Sequence, residues 1–247
     1  MRVAALYDIH GNLPALEAVL AELQEIGPHL VLVGGDVVLG PFPRETLEQL
    51  QKLGDHVQFI RGNTDRTLAD EKRDAAPPPW PDRSDWTRAQ LTEEERRFLS
   101  AHSDTAVIEV AGHGAVLFCH GSPRSDEEII TRATRPERLK DMLAGVEQRV
   151  VVCGHTHVQF DRVVDEVRLV NAGSVGMPYE DEPGAYWALF GPDVELRRTP
   201  YDVERAVRLI RATDYPDASE FAEHHVLSIT GAAEATEEFE RMASERD

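Results

Sequence analysis

Five short apolar runs in this chain each lead into residues that could bind a divalent metal. Val3 to Tyr7 runs into Asp8-Ile-His10, and Leu30 to Val33 runs through Gly34-Gly35 into Asp36. Val57 to Ile60 runs through Arg61-Gly62 into Asn63. Ala115 to Cys119 leads into His120, and Val150 to Cys153 leads through Gly154 into His155-Thr-His157. Carboxylates, neutral imidazoles and an amide oxygen suit Mn, Fe or Zn, and no thiolate is among them. Asp-x-His and His-x-His each put two ligands on one side of an extended segment, because side chains alternate with period two. Either pair alone is a weak signal, and a lone His120 after a strand is more often a hydrogen-bonded core histidine. The conjunction on consecutive strand ends is what points to a metalloenzyme.

The elements that must gather these residues are legible from the same runs. Four or five residues rich in Val, Ile, Leu and Phe, bounded by Gly, read as buried strands. In an open α/β sheet, ligands collect beyond the carboxyl ends of such strands. Gly11-Asn12 opens a helix with Pro14 in its first turn and Leu13, Leu16, Leu20 and Leu23 on one face, ended by Gly27-Pro28. A second amphipathic helix spans Pro43 to Leu53, and a third runs from about Pro136 to Ala144. Hairpins are expected at 107–119, 160–170 and 185–198. The pattern fails after Asn63. Residues 66–90 are charged and carry Pro77-Pro-Pro79-Trp80-Pro81 and Trp86, and Thr92-Glu-Glu-Glu95 forms a capping box opening a short helix. This stretch reads either as a decorative loop or as a lid over the site. We therefore expect an α/β domain over 1–200 with an insertion at 66–104, then a helical C-terminal extension over 201–247, broken at Tyr215-Pro216 and Gly231.

Composition narrows the class. The net charge of −19 argues against broad electrostatic binding to DNA, RNA or an anionic membrane. It leaves room for a small phosphorylated or nucleotide-like substrate, since bound dications would invert the local field. The first strand starts too early for a signal peptide and no run is long enough for a bilayer span, so a cytoplasmic setting is expected. Cys119 and Cys153 end core strands and read as small buried filler, not as a disulfide.

Taken in order, Asp8-x-His10, Gly35-Asp36, Gly62-Asn63, His120 and Gly154-His155-x-His157 resemble the motif set of the calcineurin-like metallophosphoesterases. Asn171-Ala-Gly-Ser-Val-Gly176 further resembles the Asn-Pro-Gly-Ser segment of the small bacterial and archaeal phosphodiesterase branch, with Ala172 in place of Pro. The resemblance implies a four-layer αββα sandwich. It also implies one metal on Asp8, His10 and His157, a second on Asn63, His120 and His155, and Asp36 bridging both. Two metals about 3.5–4 Å apart can share a hydroxide, lower its pKa and clamp phosphoryl oxygens. The implied activity is phosphodiester hydrolysis, with Asp36, Asn63 and His120 as catalytic residues. A dinucleoside polyphosphate pyrophosphatase is the alternative within the class, and a non-catalytic protein-binding scaffold on the same fold is the alternative outside it.

One departure bears on substrate choice. Many members of that family read Gly-Asn-His-Asp/Glu, with the histidine protonating the leaving group, whereas this chain reads Gly62-Asn63-Thr64-Asp65. A threonine hydroxyl is no general acid near neutral pH, and such donation is typically worth about 10²–10⁴-fold. Hydrolysis should favour activated diesters and anhydrides, unless His102 or His113 stands in. Among further residues, Asn12 either contacts the substrate phosphate or caps the helix it opens. Arg61 either orients a phosphate or pairs with Asp65. Tyr7 is expected to pack. His224-His225 are expected at the surface, and Trp80 and Trp86 either stack on a nucleobase or pin a loop.

Overall fold

The structure is a computed structural model of the chain and describes residues 1–69 and 82–246. Pro77 to Pro81, with Trp80, lie outside the described residues. Two five-stranded mixed sheets face each other. In the first, β1 (Val3–Leu6), β2 (Leu30–Val33) and β3 (Val57–Phe59) run parallel, β9 (Ala185–Phe190) lies antiparallel beside β1, and β10 (Val194–Thr199) pairs antiparallel with β9 at the edge. In the second, β5 (Gly114–Cys119), β6 (Val150–Cys153) and β8 (Val167–Asn171) are parallel, with β4 (Thr105–Val110) and β7 (Phe160–Val164) as antiparallel edges.

The layering follows from alternation along each strand. Val3, Ala5 and Tyr7 point into the interface between the sheets, where they meet Ile108, Val116, Phe118 and Val152. Ala4 and Leu6 point the other way, onto Leu16, Val19 and Leu23 of α1 (Leu13–Ile26) and Leu47 and Leu50 of α2 (Pro43–Gln51). On the far side, Leu117, Cys119, Val151 and Cys153 pack against Leu139 and Met142 of α6 (Pro136–Met142). A strand buried on both faces needs apolar residues at every position, which is why these runs are continuous. The expected αββα sandwich is the fold observed.

Among the described residues, α3 (Asn63–Ala69) leads into the insertion, which holds α4 (Arg83–Gln90) and α5 (Glu93–Ser100). The capping box forms, with Thr92 Oγ1 accepting from Glu95 N at 3.2 Å and Thr92 N donating to Glu95 Oε2 at 2.6 Å. The sequence hid α4 because, apart from Trp86, its residues are polar or small. The tail folds as α7 (Val203–Arg211), then α8 (Ala218–Ala222) running into a π turn (Glu223–Leu227), then α9 (Ala232–Arg246). No helix among the described residues is long and apolar enough to cross a membrane.

Candidate metal centre

The strand-end residues sit on unusual backbone. Asp8, His10, Asp36, His155 and His157 all have positive φ, between 47° and 65°. For residues other than glycine this costs on the order of 1–3 kcal/mol each and persists only where surroundings enforce it. The enforcement is a backbone stitch between the loops after β1 and β2: Asp8 N donates to Gly35 O at 3.1 Å, His10 N to Asp36 O at 3.0 Å and Gly11 N to Val37 O at 3.0 Å. The third loop closes on these, and a side chain at Gly62 would overlap Asp36 Oδ1. Glycine is required there by close approach.

Three imidazoles are oriented alike. His10 Nδ1 lies 3.2 Å from Leu39 O, His120 Nδ1 2.9 Å from Gly34 O and His157 Nδ1 2.7 Å from Met177 O. A carbonyl only accepts, so each Nδ1 carries the proton and each Nε2 faces inward, as a metal ligand must. His157 Nε2 is 3.3 Å from Asp8 Oδ1 and 3.4 Å from His10 Nε2. His120 Nε2 is 3.0 Å from Asn63 Oδ1, 3.5 Å from Asp36 Oδ1 and 3.8 Å from Asp8 Oδ1. Asp36 reaches the other lobe too, with Oδ2 3.8 Å from His10 Nε2. Two overlapping groups result, Asp8-His10-His157 and Asp8-Asp36-His120. His155 borders them: its N–H donates to Asp8 Oδ2 at 2.9 Å and its ring lies 5.2 Å from that of His120.

The donor set fits divalent cations. Asp8 Oδ1 is buried without a hydrogen-bond partner, and two inward Nε2 lone pairs confront each other across the first lobe. A cation relieves both. Burial raises the Asp8 carboxyl, but the His157 and His120 imidazoles win and hold it below the usual range. Burial lowers His157 and His120, yet Asp8 and Asp36 outweigh it and both are raised. His155 is pushed down to about 4 by burial and by His120.

The surrounding residues resolve several open readings. Asp65 has a role that sequence reasoning missed. Its buried carboxylate accepts from Asp36 N at 2.8 Å, Val37 N at 3.1 Å and Gly62 N at 3.1 Å, clamping two ligand loops together. Burial and Asp36 push that carboxyl up to about 7 against these donors. Arg61 pairs instead with Asp104 Oδ1, at 2.6 Å from Nη2. No local pattern signals this pairing, because Asp65 is the nearer acid along the chain. Asn12 caps α1 by accepting from Ala15 N at 3.3 Å, while its Nδ2 donates to Gly176 O at 2.9 Å. Thr64 lies at the centre, its N–H donating to Asp36 Oδ1 at 2.9 Å and its Oγ1 buried without a partner. Asn171 and Ser174 fasten the loops, Asn171 Nδ2 to Gly154 O at 2.7 Å and Ser174 Oγ to Asp8 O at 2.7 Å. Tyr7 packs as expected, with its hydroxyl toward Val152 O.

Neither proposed stand-in for the missing acid reaches the centre through its described contacts. His102 stacks on Phe59 at 5.0 Å, and His113 is half-buried in its hairpin turn. The tail corrects a different expectation. His224 is exposed, but His225 is half-buried: it packs against Phe221 at 5.2 Å and near Tyr179 at 6.2 Å, and Tyr179 lies flat on His157 at 5.3 Å. Trp86 is buried against Tyr215 at 5.1 Å, among Ala206, Val207, Ile210 and Phe221, and so pins the insertion to the tail. It does not stack over the site.

A chain with this sandwich and this cluster of carboxylates and imidazoles at its sheet ends has the makings of a metal-dependent phosphoesterase. Residues 1–190 match the model of the calcineurin-like phosphoesterase superfamily domain, and the chain belongs to that family. It is 28% identical over 236 residues to an uncharacterised protein of Methanocaldococcus jannaschii, covering 87% of this chain and 94% of that one. It is 26% identical over 198 residues to the phosphodiesterase YfcE of Escherichia coli, covering 76% of this chain and 87% of that one. Among solved structures it resembles a metallophosphoesterase from Sphaerobacter thermophilus, with TM-score 0.77, 26% identity and 92% and 99% of the two chains covered. A hypothetical protein from Pyrococcus horikoshii aligns with TM-score 0.79 at 25% identity, over 93% and 99% of the two chains.

Proposed function

We propose that this chain is a dimetal phosphodiesterase acting on small phosphorylated or nucleotide-like esters with good leaving groups. The observation that carries the reading is the pair of overlapping lobes that share Asp8, with Asp36 of the second lobe 3.8 Å from His10 of the first. Asp8, His10 and His157 would hold one dication and Asn63, His120 and His155 the other, with Asp36 placed to serve both. The all-nitrogen-and-oxygen donor set suits Mn, Fe or Zn. When bound, the dications supply Lewis acidity that acidifies an attacking water and screens phosphoryl charge. Asp36 and the backbone stitch hold the ligand loops in register, and Asn63 and His120 set the face on which the phosphoryl group rests. Water attacks phosphorus, the ester P–O bond breaks, and the alcohol or phenol departs.

The hydroxyl of Thr64 stands where an imidazole would serve as acid, so departure depends on the leaving group itself. That favours activated diesters, and also the phosphoanhydride bond of a dinucleoside polyphosphate. The two buried free thiols, Cys119 and Cys153, suit the reducing cytoplasm. Turnover of bis-p-nitrophenyl phosphate, p-nitrophenyl phosphate, cyclic nucleotides, dinucleoside polyphosphates and DNA with added Mn²⁺ tests the reading. Diester or anhydride hydrolysis is expected, and inactivity on the whole panel with both metals bound would sink it. Thr64→His should raise monoester hydrolysis at least about tenfold and diesters with good leaving groups less. An equal effect on both would remove Thr64 from the leaving-group side.

A further inference from the structure

His225 is the side chain near the metal centre that the proposed reaction does not yet use. It sits on a π turn, a backbone feature frequent at functional sites. Its ring is held by Phe221 and by Tyr179, which in turn lies flat on His157. One ring therefore separates it from a proposed ligand. Its Nδ1 is buried without a hydrogen-bond partner. An imidazole kept only for packing would do better as an apolar side chain, because a buried unpaired nitrogen is costly. Burial, then the charges of His157 and His10, push its pKa down to about 3, so the ring is neutral at physiological pH. An unpaired lone pair is easier to bury than an unpaired N–H. The favoured tautomer thus leaves the bare lone pair at Nδ1 and puts the proton on Nε2, making a free donor.

The geometry points to His225 as a substrate-contacting residue: its Nε2–H donates a hydrogen bond to a phosphoryl oxygen of a substrate bound over the His10–His157 half of the centre. The ligand chemistry is an oxyanion, supplied by a phosphodiester or by the phosphate released from it. This rests on the phosphoesterase reading above. No proton is transferred. The imidazole orients the phosphoryl group, and the C-terminal extension thereby becomes part of the site.

The test uses the full-length, Mn²⁺-loaded protein and two variants: His225→Phe, which keeps a packed ring, and His225→Asn, which keeps an N–H donor. Inorganic phosphate is titrated by calorimetry, bis-p-nitrophenyl phosphate turnover is measured, and metal content and melting temperature are recorded. His225→Phe should keep its metal and its melting temperature, yet bind phosphate about tenfold more weakly, since hydrogen bonds to charged groups are worth that much or more. kcat/KM should fall alongside, and His225→Asn should recover part of both. Phosphate affinity and kcat/KM within about twofold of the parent in His225→Phe, or no advantage of Asn over Phe, overturns the assignment. Should Phe loosen the tail, His225→Leu against His225→Gln repeats the donor contrast, and equal phosphate affinity in that pair is equally fatal. A parent protein that binds phosphate but hydrolyses no ester fails the phosphoesterase reading alone, leaving the phosphate contrast to decide His225. A parent that binds no phosphate defeats both.

Discussion

The strand-end loops and the C-terminal tail both reach the metal centre, and they do so by opposite means. The loops hold their side chains through local constraint: positive-φ residues and backbone hydrogen bonds between Asp8, His10, Gly11 and the segment Gly35 to Val37. The tail brings His225 through side-chain contacts: a cluster that joins Trp86 of the insertion to Ile210, Tyr215 and Phe221, flanked by ion pairs from Arg83 to Asp217 and Glu220. A metal site tolerates little play in its donors, whereas a substrate wall can be carried by an element that moves as a body. On the proposed reading, the loops build the centre and the tail shapes what enters it.

The sharpest way to break this comparison is to damage the loops. Asp36→Asn removes charge from the residue that reaches both lobes, and it should cost at least about a hundredfold in kcat/KM with reduced Mn²⁺ occupancy by elemental analysis. Full turnover in a metal-loaded Asp36→Asn protein would contradict the role of Asp36. The next largest effect is expected in the tail. Trp86→Ala opens a cavity between insertion and tail and should cost about 3–5 kcal/mol in denaturant unfolding. Metal occupancy should hold while diester turnover drops. Lost metal with an unchanged melting curve would mean that the two regions are not separable in this way.

The smallest effect concerns the seam between them. Glu180, next to Tyr179, accepts from Gln159 N at 2.6 Å, and burial pushes its carboxyl up to about 7. A folded pKa above the unfolded value favours the fold at low pH, and that contribution is lost as pH rises through about 7. Glu180→Gln keeps the acceptor and removes the titration. It should melt like the parent at pH near 5 and about 2 °C higher near pH 8. A gain that is the same at both pH values would show that Glu180 is not buried as charged carboxylate.

Much of the sandwich and most of the centre could be read from the chain. Strand runs such as Leu30 to Val33 and Val150 to Cys153 coincide with β2 and β6, since burial on both faces leaves an unbroken apolar signature. Asp8, His10, Asp36, Asn63, His120 and His157 all come together, because each lies shortly after a strand and strand order fixes where its end lies. Helix α4 was not legible: it buries Trp86 among polar neighbours and has no apolar stripe to betray it. The clamp by Asp65 and the partner of Arg61 were missed for a related reason. Backbone N–H acceptors and ion pairs across a fold leave no periodicity.

The fold class, the candidate donors and the lack of an imidazole at position 64 were legible from the chain alone, because each depends on short local stretches of it. Only the tertiary structure decided that Asp65 braces Asp36, that Trp86 serves the tail, and that His225 stands beside the centre. Those contacts join segments whose separation along the chain carries no local signal, and they exist only once the two sheets and the tail have packed.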